Sequence, residues 1–224
     1  MKGHREVFKM IYILGAGSMA RETLNIYKNL GKFEEIGGFI EENCKKEDLK
    51  IRGKSVMDAS IIDTLPKDSI FIGAMGSPKR KRWIEEIELK GFNFDTIIHP
   101  SAIISDFVNI GKGCILCPGV ILTCDIKIGR HSIVNISSTI NHDCVIGDFV
   151  TISPGLTIAG NVTIGNECLI GIGVKIINEV SIGKGSFIGA GAVVTKDIPE
   201  NVLAVGVPAK PLRQLKESDW EKLI

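Results

Sequence analysis

The sequence of 224 residues predicts a small α/β domain of the nucleotide-binding type followed by a parallel β-helix. Two observations predict this. A branched aliphatic residue recurs at every sixth position through the second half, and a strand, glycine turn, helix and strand follow one another in the first.

The periodic half is the stronger signal. From position 104 to position 194 every sixth residue is Ile, Leu or Val, sixteen in all, in a chain that is 44% hydrophobic. Independent draws would give that run about twice in a million trials. A period of six belongs to neither an α-helix nor an ordinary strand. The next position is Gly at 111, 129, 147, 165, 171, 183 and 189, and four places after each aliphatic stands a small or modest residue such as Ser132, Cys144 or Ala192. Each hexad therefore reads as one short strand and a corner, with the aliphatic pointing inward and the glycine relieving crowding where the chain turns. A buried Ile is worth roughly 1.5–3 kcal/mol, so such a column supports a domain almost without aromatic residues.

In the first half, residues 7–14 read as a buried strand, Gly15-Ala16-Gly17-Ser18-Met19-Ala20 as a G-x-G-x-x-A turn, and 21–30 as a helix stopped by Gly31. A strand at 36–40 ends on Glu41-Glu42. A strand at 69–73, a loop through Gly76, a helix at 79–90 and a strand at 93–98 follow. This order is that of a βαβ unit whose helix-terminal amides hold a phosphate, in a domain too short for a complete six-stranded dinucleotide fold. The run Lys79-Arg80-Lys81-Arg82 reads as a solvated helix face, with phosphate contact as the second reading. The expected domains are 1–98, 99–210 and a tail at 211–224 forming a short amphipathic helix.

Composition narrows the function. Twenty-seven basic against 26 acidic residues give no electrostatic case for nucleic acid or a membrane surface, so a small-molecule substrate fits better. The apolar run near the N-terminus is too short for a signal h-region, and no stretch reaches the length of a membrane span, which points to a cytoplasmic protein. The six cysteines are then reduced thiols. Cys114 and Cys117 form a lone C-x-x-C without a second half-site, so no metal is expected.

Of the four histidines, His4 and His99 read as structural, and His131 and His142 as candidates. His142 lies two places after an inward Ile, at a corner facing outward, with Asp143 beside it to orient the ring and favour its protonated form. A coil of eighteen residues stacks Cys124 and Gly160 on either side of His142, and puts Asn135 on an adjoining edge as a third catalytic candidate, to hydrogen-bond the base or the substrate. Direct acyl transfer needs only a held acceptor, a base and an oxyanion donor. A covalent route through Cys124 or Cys144 lacks any sign of an activated thiolate.

The chain resembles the sugar acetyltransferases of the sialic acid O-acetyltransferase (NeuD) and bacillosamine-pathway (PglD) type over almost its whole length. The resemblance rests on Tyr12-Ile13-Leu14-Gly15-Ala16-Gly17, His99-Pro100-Ser101-Ala102, Asn135 with Ser137-Ser138, His142-Asp143-Cys144-Val145-Ile146-Gly147-Asp148, Ala159-Gly160-Asn161-Val162 and Val205-Gly206-Val207-Pro208-Ala209-Lys210. It implies a left-handed β-helix of three hexads per coil and a homotrimer, with acetyl-CoA lying in the groove between adjacent β-helices. It implies His142 as general base tuned by Asp143. It implies a CoA site lined by Gly160, Ile172 and Ala190, with Gly206, Pro208 and Lys210 near the distal end. The sugar nucleotide would meet Gly15, Gly17, Ser18, Met19, Glu41 or Glu42, and Gly76. Thr151 stands where several relatives carry a second histidine facing the CoA, and its hydroxyl would donate instead.

These readings lead to acetyl transfer onto the amino group of a nucleotide-linked 4-amino-4,6-dideoxy sugar, with O-acetylation of sialic acid or another glycan hydroxyl as the alternative. Two other classes fit less well: an NAD-dependent oxidoreductase lacks a second catalytic domain other than the β-helix, and a metal-dependent β-helix hydratase needs a third histidine.

Overall fold

The structure, a computed structural model, describes residues 9–42, 44 and 49–220. The chain divides into two compact units, one of residues up to 75 with 85–95, the other of 76–84 with 96 onward.

The first unit is an α/β sheet. Its strands are β1 (Ile11–Leu14), β2 (Ile36–Glu41), β3 (Lys50–Ile51), β4 (Lys54–Asp58), β5 (Ile70–Gly73) and β6 (Asn93–Phe94), in the spatial order β3-β4-β2-β1-β5-β6. All neighbours are parallel except the β3–β4 hairpin. The positive φ of Arg52 and Gly53 turns that hairpin, which suits a two-residue loop between twisted strands. The central β1 is buried at all four residues, as a strand covered on both faces must be. Helix α1 (Ser18–Asn29) starts at Gly17 and buries Ala20, Thr23, Leu24, Ile26 and Tyr27. The Tyr27 hydroxyl donates to Asp95 Oδ2 at 2.9 Å, and burial with that carboxylate drives its pKa far upward. Part of the expected first strand, and His4, lie outside the described residues.

The second unit is a left-handed parallel β-helix of three sheets. Pairing advances by eighteen residues per coil, as in the series Ile115, Ile133, Thr151, Leu169 and Phe187. The column begins one rung before the expected one, because Ile97–Ile98 pairs with Ile115–Leu116 as the first strand of the helix. The inward aliphatics of the coils form one core cluster.

Two details explain the hexad. Every sixth residue from 113 to 191 has positive φ, whether it is Gly, Asp, His, Ser, Phe, Asn or Glu. The left-handed residue of each corner is thus the third after the aliphatic, and the glycine directly after the aliphatic has another task. A Cβ on Gly111 would stand 2.6 Å from Arg130 N, and one on Gly165 2.6 Å from Lys184 N, so that glycine lets successive coils touch. The small residue four places on does more than fit. The side chains of Cys114, Ser132, Ser138, Cys144 and Cys168 donate to the carbonyls of Gly129, Gly147, Ser153, Ala159 and Gly183 in the next coil. Each joins neighbouring storeys where the ladder bends.

The outward residues of the three sheets differ. Ile115, Ile133, Thr151 and Leu169 point out of the coil yet are buried, whereas Ile103, Ile121, Val145, Thr157, Thr163 and Lys175 on the other sheets are exposed. Segment Gly76–Ile84 belongs to this unit, and Arg80 within it donates to Thr151 Oγ1 on that buried face. Of the expected tail helix, residues 221–224 lie outside the described residues, and the described part opens as a strand. Lys210–Gln214 instead pairs antiparallel with Val202–Val205, followed by a short turn at Glu217–Asp219. Pro211 lacks an N–H and sits readily in an edge strand, and the open edge of Val202–Val205 offers partners that an isolated short helix would lack.

Candidate active site

The corners fall on three edges of the prism, and each chemistry-bearing side chain takes its surroundings from its edge. His142 lies between strands Thr139–Ile140 and Val145–Ile146. Its side chain is 55% exposed, and Nδ1 lies 2.8 Å from Asp143 Oδ2. With the carboxylate ionised, Nδ1–H donates to it and Nε2 is left as an outward acceptor, which is the tautomer a general base requires. Asp143 is the left-handed corner residue, φ 58°, so the same turn that closes the coil swings its carboxylate back onto the preceding ring.

The stacking is as the period requires. Asp143 N donates to Cys124 O and Asn161 N to His142 O, so residues 124, 142 and 160 form one column. A Cβ on Gly160 would come 2.3 Å from His142 Cε1 and 2.6 Å from Nε2. Glycine at 160 is what gives the imidazole its place.

Asn135 is on a different edge, the one that joins Ile133–Val134 to Thr139–Ile140, where its Oδ1 faces Cys117 Sγ at 3.8 Å. Ile172 and Ala190 continue that second edge, Gly191 N donating to Ile172 O at 2.8 Å, and both are exposed. The loop 206–210 follows on it. Val193 N donates to Gly206 O, Ala209 N to Val193 O, and Val207–Pro208 is cis. One chain thus carries the candidate base on one edge and most candidate CoA residues on another.

His131 proves to be a core residue. It is 1% exposed, stacks on Phe149 with ring centroids 5.0 Å apart, and leaves no room for any side chain at Gly113, whose Cβ would lie 2.0 Å from Nδ1. His99 is a local cap, its Nδ1 accepting from Ser101 N.

Thr151 is 3% exposed, and its hydroxyl accepts from Arg80 Nη1 at 2.7 Å. Arg80 is itself 3% exposed. It donates further to Ser77 O at 2.9 Å, His131 O at 2.6 Å and Val150 O at 3.2 Å, and burial pulls its pKa below the usual range. The expected solvated face of the basic run is therefore corrected at Arg80, while its neighbours make surface ion pairs. Lys79 pairs with Glu217, Arg80 is buried, and Lys81 pairs with Glu167 at 2.8 Å. A charge run betrays its length but not which side chain the fold swallows.

The thiols are structural. Burial pushes Cys114 up to about 11 and Cys168 up to about 12, and Cys144 rises for the same reason. Cys124, next to His142, is also raised, by burial first and then by Asp125 and Asp143. A thiolate nucleophile has no support here. Among the described residues there is no group of three or more metal-ligating side chains, and no helix is long and apolar enough to cross a membrane.

In the first unit, Gly15 has φ 93°, and its N–H donates to Ile40 O, joining the turn to the end of β2. Ala16 N donates to Glu41 Oε2 at 2.6 Å, so that carboxylate holds the glycine turn directly. Gly17 and Ser18 are exposed, Met19 is half-buried, Glu42 is exposed just past β2, and nothing stands within 4 Å of a Cβ built on Gly17. Gly76 is partly buried in the second unit, with the same open space around its Cα.

A hexapeptide β-helix with an oriented histidine at an open corner defines an acyltransferase of the hexapeptide-repeat class. The PglD N-terminal domain matches residues 10–87, and the bacterial transferase hexapeptide (six repeats) matches 161–196. Among solved structures, WeeI from Acinetobacter baumannii AYE is 32% identical, with a TM-score of 0.84 over 91% of this chain and all of that one. A variant of GDP-perosamine N-acetyltransferase from Caulobacter crescentus, solved with CoA and GDP-perosamine, is 29% identical, with a TM-score of 0.86 over 92% of this chain and 97% of that one. The acetyltransferase domain of PglB from Neisseria gonorrhoeae FA1090, solved with acetyl coenzyme A, is 29% identical, with a TM-score of 0.84 over 91% and 99%. Comparison with curated proteins gives no significant match. The chain belongs to the PglD-type family of hexapeptide-repeat sugar acetyltransferases.

Proposed function

We propose that this protein transfers the acetyl group of acetyl-CoA to the amino group of a nucleotide-linked 4-amino-4,6-dideoxy sugar. The observation that carries the chemistry is the His142–Asp143 contact of 2.8 Å with the ring seated over Gly160. Nε2 takes a proton from the amine as its nitrogen attacks the thioester carbon. The new C–N bond forms, the C–S bond breaks, and the proton passes to the departing sulfur. A lone base suffices because the held pair of reactants supplies the rest of the advantage.

Support for the substrates comes from the relatives that hold CoA and GDP-perosamine, and from the glycine turn at 15–19 beside Glu41. On this reading Gly15, Gly17, Ser18 and Met19 face the diphosphate, Glu41 or Glu42 the nucleoside, and Gly76 the sugar side. The division of Asn135, Ile172, Ala190, Gly206, Pro208 and Lys210 from His142 and Gly160 onto two edges of one prism favours a homotrimer, in which the edges of neighbouring copies meet and each site draws on two chains.

Thiol release from acetyl-CoA, measured against GDP- and UDP-linked amino sugars and sialates, tests this. Release is expected with an amino sugar nucleotide and not with a sialate; the reverse pattern makes the protein an O-acetyltransferase. His142→Ala is expected to lower kcat by about 10²–10⁴-fold with the fold intact. Full activity in that variant would dismiss the proposed base.

A further inference from the structure

Arg80 is the one buried basic side chain of the 79–82 run; the acceptors of its guanidinium are neutral and come from three separated stretches of chain. Nη1 reaches Ser77 O and Thr151 Oγ1, while Nη2 reaches His131 O and Val150 O. A guanidinium is planar and presents its donors in a fixed fork, so it joins those stretches in one geometry where a flexible ammonium would not. Its Nε has no hydrogen-bond partner among the described residues, which leaves the fork aligned by the terminal nitrogens. Lys79 and Lys81, on either side, grip Glu217 and Glu167. The loop at 76–78 is thereby registered against the coils that carry residues 131 and 151.

Resting on the reading above that Gly76 meets the sugar side of the acceptor, we propose that Arg80 is a positioning residue for the acceptor substrate. It sets the place of the loop 76–78 through Ser77, with Thr151 as its seat on the β-helix. Thr151 then serves the nucleotide sugar and not the CoA, because its hydroxyl lies under the guanidinium. A charge held by neutral acceptors is a poor device for stability alone, since burial of an ion costs more than neutral hydrogen bonds return. It is a good device for fixing a loop.

Steady-state kinetics of Arg80→Lys and Thr151→Val on the full chain, with both substrates varied and folding checked by thermal unfolding, test the proposal. Arg80→Lys is expected to raise KM for the nucleotide amino sugar about tenfold, because a small displacement of a positioning group is enough, with KM for acetyl-CoA unchanged. Thr151→Val is expected to move the same constant about threefold by removing one acceptor of the fork. If Arg80→Lys does not fold, Thr151→Val still decides. A rise in the acetyl-CoA constant instead, or no change in either, overturns the proposal. A wild-type protein that acetylates no nucleotide amino sugar overturns the underlying reading and the proposal together, whereas a wild type that does so beside variants with its own KM overturns the proposal alone.

Discussion

His131 and His142 are eleven residues apart on the same repeat, and the fold treats them as opposites. His131 occupies the left-handed corner position itself, φ 55°, on the edge beside the buried sheet, and its ring is sealed between Gly113 and Phe149. His142 stands one place before the left-handed residue, on an edge where its side chain is 55% exposed, and keeps a carboxylate partner in hand. A residue's chemistry here is decided by hexad phase and by edge. Residue type alone does not separate the two, and each relies on a glycine in a neighbouring coil for the space it occupies.

Those two glycines are where the comparison is most easily broken. Gly160→Ala puts a methyl 2.3 Å from His142 Cε1 at a corner open to solvent, so the ring swings away. The expected result is a loss of about 10²-fold in kcat from the misplaced base, with little change in Tm. A Gly160→Ala enzyme at full rate would mean that the ring does not work from this place. Gly113→Ala meets both a ring at 2.0 Å and a backbone φ of 75°, inside packed structure. Overpacking together with a left-handed alanine is expected to remove about 2–3 kcal/mol of stability, read from denaturant midpoints, while the molecules that remain folded keep their kcat. Loss of turnover without loss of stability in that variant would erase the distinction between the two corners.

The smallest expected effect sharpens the picture of the core. An acid whose pKa is raised by folding stays protonated to higher pH in the native state, so the thiols of Cys114 and Cys168, near 11 and 12, are almost entirely unionised at pH 8. Alkylation of the native protein by iodoacetamide at that pH is expected to leave both unlabelled, with labelling appearing only on unfolding. Cys168→Ser is expected to change stability by less than about 1 kcal/mol, because Ser132 and Ser186 already make the equivalent hydrogen bond elsewhere in the ladder. A larger loss on thermal or chemical unfolding would assign the sulfur more than a donor's role.

The β-helix was legible because its determinant is a repeated apolar position, which no local detail can disguise. The stacking of Cys124, His142 and Gly160 followed from arithmetic on the same repeat. The left-handed corner was not visible, since Asp125, Phe149 and Glu167 fill it as readily as Gly119 does. What decides there is backbone closure, and side-chain type enters only afterwards. Arg80 was hidden because burial of a charge depends on acceptors fifty to seventy residues away in sequence. The start of the tail misled for a related reason: nothing local in Lys210–Gln214 demands a strand, and only the free edge of Val202–Val205 selects one. The β3–β4 hairpin, by contrast, carried a readable cue in Arg52-Gly53 between short apolar alternations.

The corner at every sixth residue also governs how such a protein can change length. Adding six residues after Ile146 would rotate everything downstream by one face, moving Gly160 out from under the imidazole and the 206–210 loop onto a different edge. Adding eighteen would raise the prism by one storey and leave every later residue facing its former direction. Growth of this architecture is therefore quantised in whole turns, and a single hexad gained or lost is a change of address for every side chain beyond it.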